Sequence, residues 1–151
     1  MDVYIGTEGF TLPSGFIAKE MTICYSNREY RHLFFKPPYD YTPTEQDLLT
    51  IRYTSNKLNQ LSFTDGDTPY ECISIILDRY KDYTIYCYGA SSANLLQSYL
   101  KTTTIINIQD RGFKLPSVLP KSNCFKNHNP RYCSFAKALK IRQIVENGQA
   151  P

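Results

Sequence analysis

This sequence of 151 residues lacks several features, and each absence excludes a class of protein. Its cysteines number five, an odd count, and most of them lie within apolar segments. Small secreted proteins held by disulfides have an even number of cysteines at regular spacing. The sequence therefore indicates a reducing compartment, which means an intracellular location in the cytoplasm or the nucleus.

Long apolar runs are also missing. No stretch approaches the roughly 18 consecutive apolar residues that a membrane-spanning helix needs, and Met1–Gly6 has neither a basic region nor an apolar core of the kind found in export signals. We expect no contact with a membrane.

Acidic residues are absent from one long segment. No Asp or Glu occurs between Asp110 and Glu146, although the net charge of the whole chain is only +3. The segment holds eight cations, namely Arg111, Lys114, Lys121, Lys126, Arg131, Lys137, Lys140 and Arg142. Such a region can bind the phosphates of RNA or another single-stranded nucleic acid, and a solvated loop and helix face explains it equally well.

What is present indicates one α/β domain over residues 1–151. The chain is 42% apolar, enough to bury about two-thirds of its unfolded surface in a single core. Periodicity predicts strands over residues 3–6, 16–25, 30–35, 84–88 and 103–108, and helices over residues 44–58, from 69 to about 80, around 93–100 and over 133–145. Thr68 and Glu71 fit a capping box for the second helix.

Short connections make the first three strands antiparallel. The last two strands each follow a helix, and right-handed crossovers should place them parallel to the first strand, beside it. The result is a mixed five-stranded sheet flanked by helices. This order of elements resembles the ribonuclease H-like fold.

A cluster of metal-binding residue types precedes the last helix. Cys124, His128 and Cys133 place three soft ligands within ten residues. Zinc takes such ligands in a tetrahedron, and a fourth protein ligand would make the site structural, whereas a water would make it catalytic. The alternative is two buried cysteines and a histidine on a polar loop.

The positions where exonucleases of the DEDD type carry their metal-binding acids are largely occupied by other residues. Only Glu8 remains near the end of the first strand, Ala93 or Asn94 stands in the second motif, and Cys133 and Ala138 stand in the third. Two divalent metals need several carboxylates, so no two-metal hydrolysis is expected and no catalytic residue is assigned.

The chain resembles the Maelstrom domain, a degenerate exonuclease domain with a ribonuclease H-like fold that acts in small-RNA silencing. The resemblance rests on Lys19-Glu20, on residues 85–96 and on the cysteine–histidine cluster. It implies a Glu-Cys-His-Cys zinc site of Glu20, Cys124, His128 and Cys133. Small uncharacterised proteins of arthropods and viruses are similar through Phe16-Ile-Ala-Lys-Glu20, the Phe-Lys-Pro-Pro at 35–38 and the same cluster. No role is assigned to Lys19, and His32 is predicted to be a hydrogen-bonded strand residue.

Three functions remain open. The first is an RNA-binding module with structural zinc, for which the eight cations would contact the backbone. The second is a ribonuclease that lacks the usual acids, with Glu8, Glu20 and His128 as candidates. The third is a scaffold, viral or related to silencing, that binds a protein partner and has no catalytic site.

Overall fold

The computed structural model describes residues 1–116, 119, 124 and 128–148. Its strands are β1 (Asp2–Leu12), β2 (Gly15–Tyr25), β3 (Tyr30–Phe34), β4 (Thr84–Cys87) and β5 (Thr104–Asn107). Its α-helices are α1 (Glu45–Tyr53), α2 (Cys72–Asp78), α3 (Ala90–Tyr99) and α4 (Ser134–Glu146). A π-helical segment, Thr54–Asn59, continues α1, and short 3-10 helices span Ile108–Arg111 and Pro130–Tyr132. None of the helices in these residues has the length and apolar character that crossing a membrane requires.

The five strands form one mixed sheet in the order β3-β2-β1-β4-β5. β1, β2 and β3 pair antiparallel, while β4 lies parallel to β1 and β5 parallel to β4. The predicted α/β class and sheet are confirmed. β1 is longer than predicted, because residues 7–12 stay paired with β2 beyond the point where β4 ends.

The two faces of the sheet are both covered by helices. Since side chains alternate along a strand, Val3 and Ile5 point into a core with α2 and α3, whereas Tyr4 and Cys24 point towards α4. Burial of each large aliphatic side chain in such a core contributes about 1.5–3 kcal/mol. β1 is therefore buried on both faces and anchors the fold.

Gly6 allows α4 to approach β1 closely. A Cβ atom at this position would lie 2.1 Å from the carbonyl oxygen of Ser134 and 2.8 Å from the amide nitrogen of Ala138. Because no side chain fits there, the start of α4 lies directly against the middle of β1.

A β-bulge gives Lys19 its place. The β1–β2 register passes from Glu8–Glu20 to Gly9–Ala18, so Lys19 has no partner on β1. The side chain is buried, with 2% of its surface exposed, and its ammonium group donates to the carbonyl oxygens of Phe35, Phe63 and Asp65. Lys19 thus fastens the 61–66 segment to the sheet, a role that the sequence did not reveal.

The predicted capping box at Thr68 and Glu71 is wrong. The Thr68 hydroxyl donates to Asp67, α2 begins only at Cys72, and no side chain caps it. Thr68 instead forms a parallel bridge to Phe35. The pairing with the end of β3 overrides the local signal. The buried positions of α2 nevertheless follow the predicted helical spacing.

Candidate metal centre

Four donor residues converge between β2 and the start of α4. Ligand atoms of Glu20, Cys124, His128 and Cys133 all lie within 4.8 Å of one another. Glu20, His128 and Cys133 are buried, and Cys124 is partly buried. This is the group named from the sequence, and the structure brings all four members together.

Short local structures position the ligands near the helix. Asn129 accepts a hydrogen bond from the Arg131 amide through its side chain and caps the 3-10 helix Pro130–Tyr132. That turn separates His128 from Cys133, which lies directly before α4. A one-turn spacer of this kind lets both side chains face the same point on β2.

The Glu20 carboxylate is held by hydrogen bonds from three other parts of the chain. Its Oε1 accepts from the Ser134 amide at 2.7 Å, and its Oε2 lies 2.8 Å from His32 Nε2 and 3.3 Å from His128 Nε2. Burial alone would raise the pKa of this carboxyl, but the hydrogen bonds from His128, His32 and Ser134 lower it to about 2. Glu20 is therefore an ionised carboxylate inside the protein.

His128 has one fixed nitrogen and one directed at the other donors. Nδ1 lies 2.9 Å from the Asn59 carbonyl oxygen, which can only accept, so Nδ1 carries a hydrogen. Nε2 then faces Glu20. Burial lowers the pKa of His128, but Cys133 and Glu20 outweigh it and raise that pKa to about 10. Without a metal, the imidazole is thus protonated beside an anionic partner.

His32 also reaches this centre, a position that its strand sequence alone does not predict. It lies on β3 opposite Thr22, its side chain is 8% exposed, and its Nε2 is 3.9 Å from Cys124 Sγ. The hydrogen bond predicted for it exists, and its partner is the candidate ligand Glu20. The signal that could have identified it is the period-2 register, because His32 and Glu20 share a face on adjacent strands.

Cysteines elsewhere in the chain have a different environment. Cys24 and Cys87 lie in apolar core clusters, where burial raises the pKa of the two thiols to about 11 and about 12. Such thiols are inert packing residues. No disulfide joins any of the five cysteines, all of which lie among the described residues, so the thiols of Cys124 and Cys133 are available as metal ligands.

The convergent donors fit a metal ion. Ligand atoms bound to one tetrahedral zinc at about 2.0–2.3 Å lie about 3.3–3.8 Å from one another, so donors that already lie within 4.8 Å need only a small adjustment to share one ion. The set combines two thiol sulfurs, an imidazole and an ionised carboxylate, all supplied by the protein. This group could hold one metal ion.

The positions of the exonuclease acids form no second metal group within the described residues. Glu8 Oε2 accepts from Lys137 Nζ at 2.6 Å, and the neighbouring Thr7 hydroxyl is hydrogen-bonded to that of Ser92. Asn94 is exposed, and Ala138 is buried in the core against the sheet. The ammonium group of Lys137 thus lies beside Glu8, at the position where a metal-dependent nuclease would hold metal ions with several carboxylates.

The basic segment spreads over several elements. Arg111, Lys114 and Arg131 are exposed and form no ion pair with the residues that the structure describes. On α4, Lys137 pairs with Glu8, Arg142 with Glu146, and Lys140 bonds to Gln143. Lys121 and Lys126 lie outside the described residues.

A cavity of about 280 Å³ lies beside this segment, near the carboxyl end of β4. Its lining combines cations, tyrosines and apolar residues, namely Tyr88, Leu115, Pro116, Leu119, Arg131, Tyr132 and Lys137. β1 and β4 are neighbours in the sheet, but the strand that follows β1, β2, lies on one side of this pair, and the strand that follows β4, β5, lies on the other. Crevices at such points are where open α/β sheets bind ligands.

No protein-family model and no curated protein gives a significant match to this chain.

Proposed function

We propose that the chain is a non-catalytic RNA-binding module, built on a degenerate exonuclease fold of the ribonuclease H-like class and stabilised by one structural zinc ion. The observation that carries the metal part is the convergence of four protein donors, Glu20, Cys124, His128 and Cys133, within 4.8 Å of one another.

The donor set favours zinc over harder cations. Thiolates are soft ligands, whereas magnesium and calcium prefer oxygen. Four protein ligands complete a tetrahedron and leave no position for a reactive water, which is the arrangement of structural sites. Bound zinc would join Cys124 and the start of α4 to β2, and thereby supply folding free energy.

The architecture agrees with the proposed class. The sheet order, the two parallel crossovers and the final helix over the β1–β2 face are those expected of a ribonuclease H-like domain. The Glu-Cys-His-Cys donor set is the one that the resemblance to the Maelstrom domain implies.

The cavity beside Tyr88 and Tyr132 supports binding to single-stranded RNA. Aromatic side chains stack on unpaired bases, and arginine contributes both charge and a planar surface for stacking. Arg131 lines this cavity without an ion pair among the described residues, while the charge of Lys137 is offset by Glu8. Arg111 and Lys114 add exposed positive charge near the same edge of the sheet.

The ribonuclease alternative has less support from the geometry. Of its candidates, Glu8 is paired with Lys137, and Glu20 and His128 belong to the four-donor group. None of the three is left as a general base beside the cavity. A scaffold that binds only proteins remains distinguishable, because its affinity for RNA would be negligible at every salt concentration.

The test combines zinc analysis with a salt titration on one sample. We expect one zinc per chain by elemental analysis, and an affinity for a single-stranded RNA oligomer that falls steeply with salt. Replacement of Arg131 by Gln should weaken binding and reduce the salt slope by about one. The exposed Lys101, which lies in the turn between α3 and β5, provides the control, and Lys101→Gln should leave both quantities unchanged. Equal effects of the two variants, or no binding at low salt, would refute the RNA part of the proposal.

A further inference from the structure

His32 makes a contact with the candidate metal centre that the four-donor group does not account for. Its Nε2 lies 2.8 Å from Oε2 of Glu20, closer to that oxygen than His128 Nε2 or Cys124 Sγ, which are both 3.3 Å away. A ligating carboxylate offers only acceptor oxygens, so the nitrogen at this distance, His32 Nε2, is the donor of the hydrogen bond.

The two oxygens of Glu20 therefore accept hydrogen bonds from two different elements. The Ser134 amide, at the start of α4, donates to Oε1 at 2.7 Å, and His32, on β3, donates to Oε2. Ligating carboxylates in metalloproteins are commonly oriented by such outer hydrogen bonds, and their loss typically costs 10- to 100-fold in metal affinity.

The ring of His32 is itself fixed by packing. Its centroid lies 4.7 Å from that of Phe34 and 5.2 Å from that of Phe135, the latter edge-to-face. The side chain is 8% exposed. An imidazole confined in this way can present its N–H to Glu20 with little loss of side-chain entropy when a metal binds.

We propose that His32 is a positioning residue of the metal centre, whose Nε2–H fixes the Glu20 carboxylate for zinc without joining the ligand set. The inference rests on the zinc site of the proposed function. Direct ligation by His32 is disfavoured because Nε2 points its hydrogen at Glu20 and lies 3.9 Å from Cys124 Sγ, while four other donors already converge.

Three variants of the full chain separate the role of the N–H group from that of the ring. His32→Phe keeps an aromatic ring between Phe34 and Phe135 but removes the donor. His32→Gln keeps an N–H donor but loses the ring. Phe34→Leu removes one of the ring contacts and leaves His32 intact, so it serves as the packing control.

Zinc affinity is measured by competition with a chromophoric chelator, and the ligand set is read from the absorption spectrum of the cobalt(II) form. We expect His32→Phe to bind zinc 10- to 100-fold more weakly than the wild type, and His32→Gln and Phe34→Leu to stay within a few-fold of it. The cobalt spectra of all variants should keep the band positions of the wild type, since the ligands are the same.

Three results would overturn the proposal. Equal zinc affinities of wild type and His32→Phe would remove any role of His32, and a changed cobalt spectrum in His32→Phe would make His32 a ligand instead. A weakening in Phe34→Leu as large as in His32→Phe would reduce the effect to packing. If the wild-type chain itself binds no zinc, the proposed metal site fails first, and that outcome is visible before any variant is compared.

Discussion

Glu8 and Glu20 are cross-strand partners on β1 and β2, and both side chains point to the face of the sheet that α4 covers. Glu8 meets the ammonium group of Lys137 at 2.6 Å. Glu20 meets two imidazoles, a backbone amide and a thiol. Two carboxylates at directly paired positions of neighbouring strands therefore have different electrostatic surroundings.

The difference lies in what balances each negative charge. Glu8 has a permanent cation of the protein beside it, so a metal would have to displace Lys137. In the metal-free chain the charge of Glu20 is balanced by the protonated imidazole of His128. Burial lowers the pKa of His128, but Cys133 and Glu20 raise it to about 10. Metal binding can release the proton from His128, whereas the side chain of Lys137 would have to move away from Glu8. The pair shows how neighbours decide whether a buried carboxylate is a ligand or a structural ion pair.

The largest expected effect on zinc binding and stability comes from removing a thiol ligand of the four-donor group. Cys133→Ser should abolish stoichiometric zinc binding and lower the free energy of unfolding by about 3–4 kcal/mol at a several-hundred-fold excess of zinc over its Kd. Chemical unfolding with and without a chelator measures this. The control is Cys87→Ser, another buried cysteine, which should keep one zinc per chain. Retention of zinc by Cys133→Ser would contradict the site.

A change at Gly6 should disturb both glutamates at once. The added methyl of Gly6→Ala would meet the Ser134 carbonyl at 2.1 Å, so α4, which carries partners of both Glu20 and Glu8, must shift. We expect a loss of about 1–3 kcal/mol in the free energy of unfolding and weaker zinc binding. Thr11→Ala, at an exposed position of the same strand, should change neither. Unaltered stability and zinc affinity in Gly6→Ala would mean that α4 adapts without cost.

The sequence predicts the candidate ligands but not the contacts of Glu8 and His32, and the reasons for this difference are physical. Sequence spacing identified Cys124, His128 and Cys133, since local loops bring nearby ligands together. Glu20 required the resemblance to a known domain, because no spacing connects it to residues more than a hundred positions away. The pairing of Glu8 with Lys137 and the contact of His32 with Glu20 depend on strand register and on the close approach of α4 at Gly6.

The α/β class, the strand order and the parallel crossovers also followed from the order of elements. The start of α2 did not, because the bridge between Phe35 and Thr68 holds Thr68 in an extended pairing where local chemistry favours a cap. Nor did Lys19, whose position comes from a bulge that sequence periodicity does not reveal. Long-range backbone pairing is the common cause of these differences.

The same substitution at both glutamates separates their roles. Glu20→Gln replaces a charged ligand by a neutral amide and should weaken zinc binding by more than the roughly 10- to 100-fold that loss of an outer hydrogen-bond partner costs, while the sheet stays folded. Chelator competition measures the affinity, and circular dichroism of the zinc-saturated variant checks the fold. Wild-type zinc affinity in Glu20→Gln would send the search for the fourth ligand to another residue.

The smallest effect is expected at Glu8. Glu8→Gln removes the ion pair with Lys137. The Glu8 side chain is 10% exposed and that of Lys137 is 24% exposed, so the free energy of unfolding should fall by only about 1 kcal/mol. Zinc affinity should stay at the wild-type value, because Glu8 is not among the four donors. Much of the cost comes from leaving the Lys137 ammonium without its anion, so the double variant Glu8→Gln with Lys137→Gln should recover part of it. Loss of zinc in Glu8→Gln would show that the two glutamates act on one site, and the contrast between them would no longer hold.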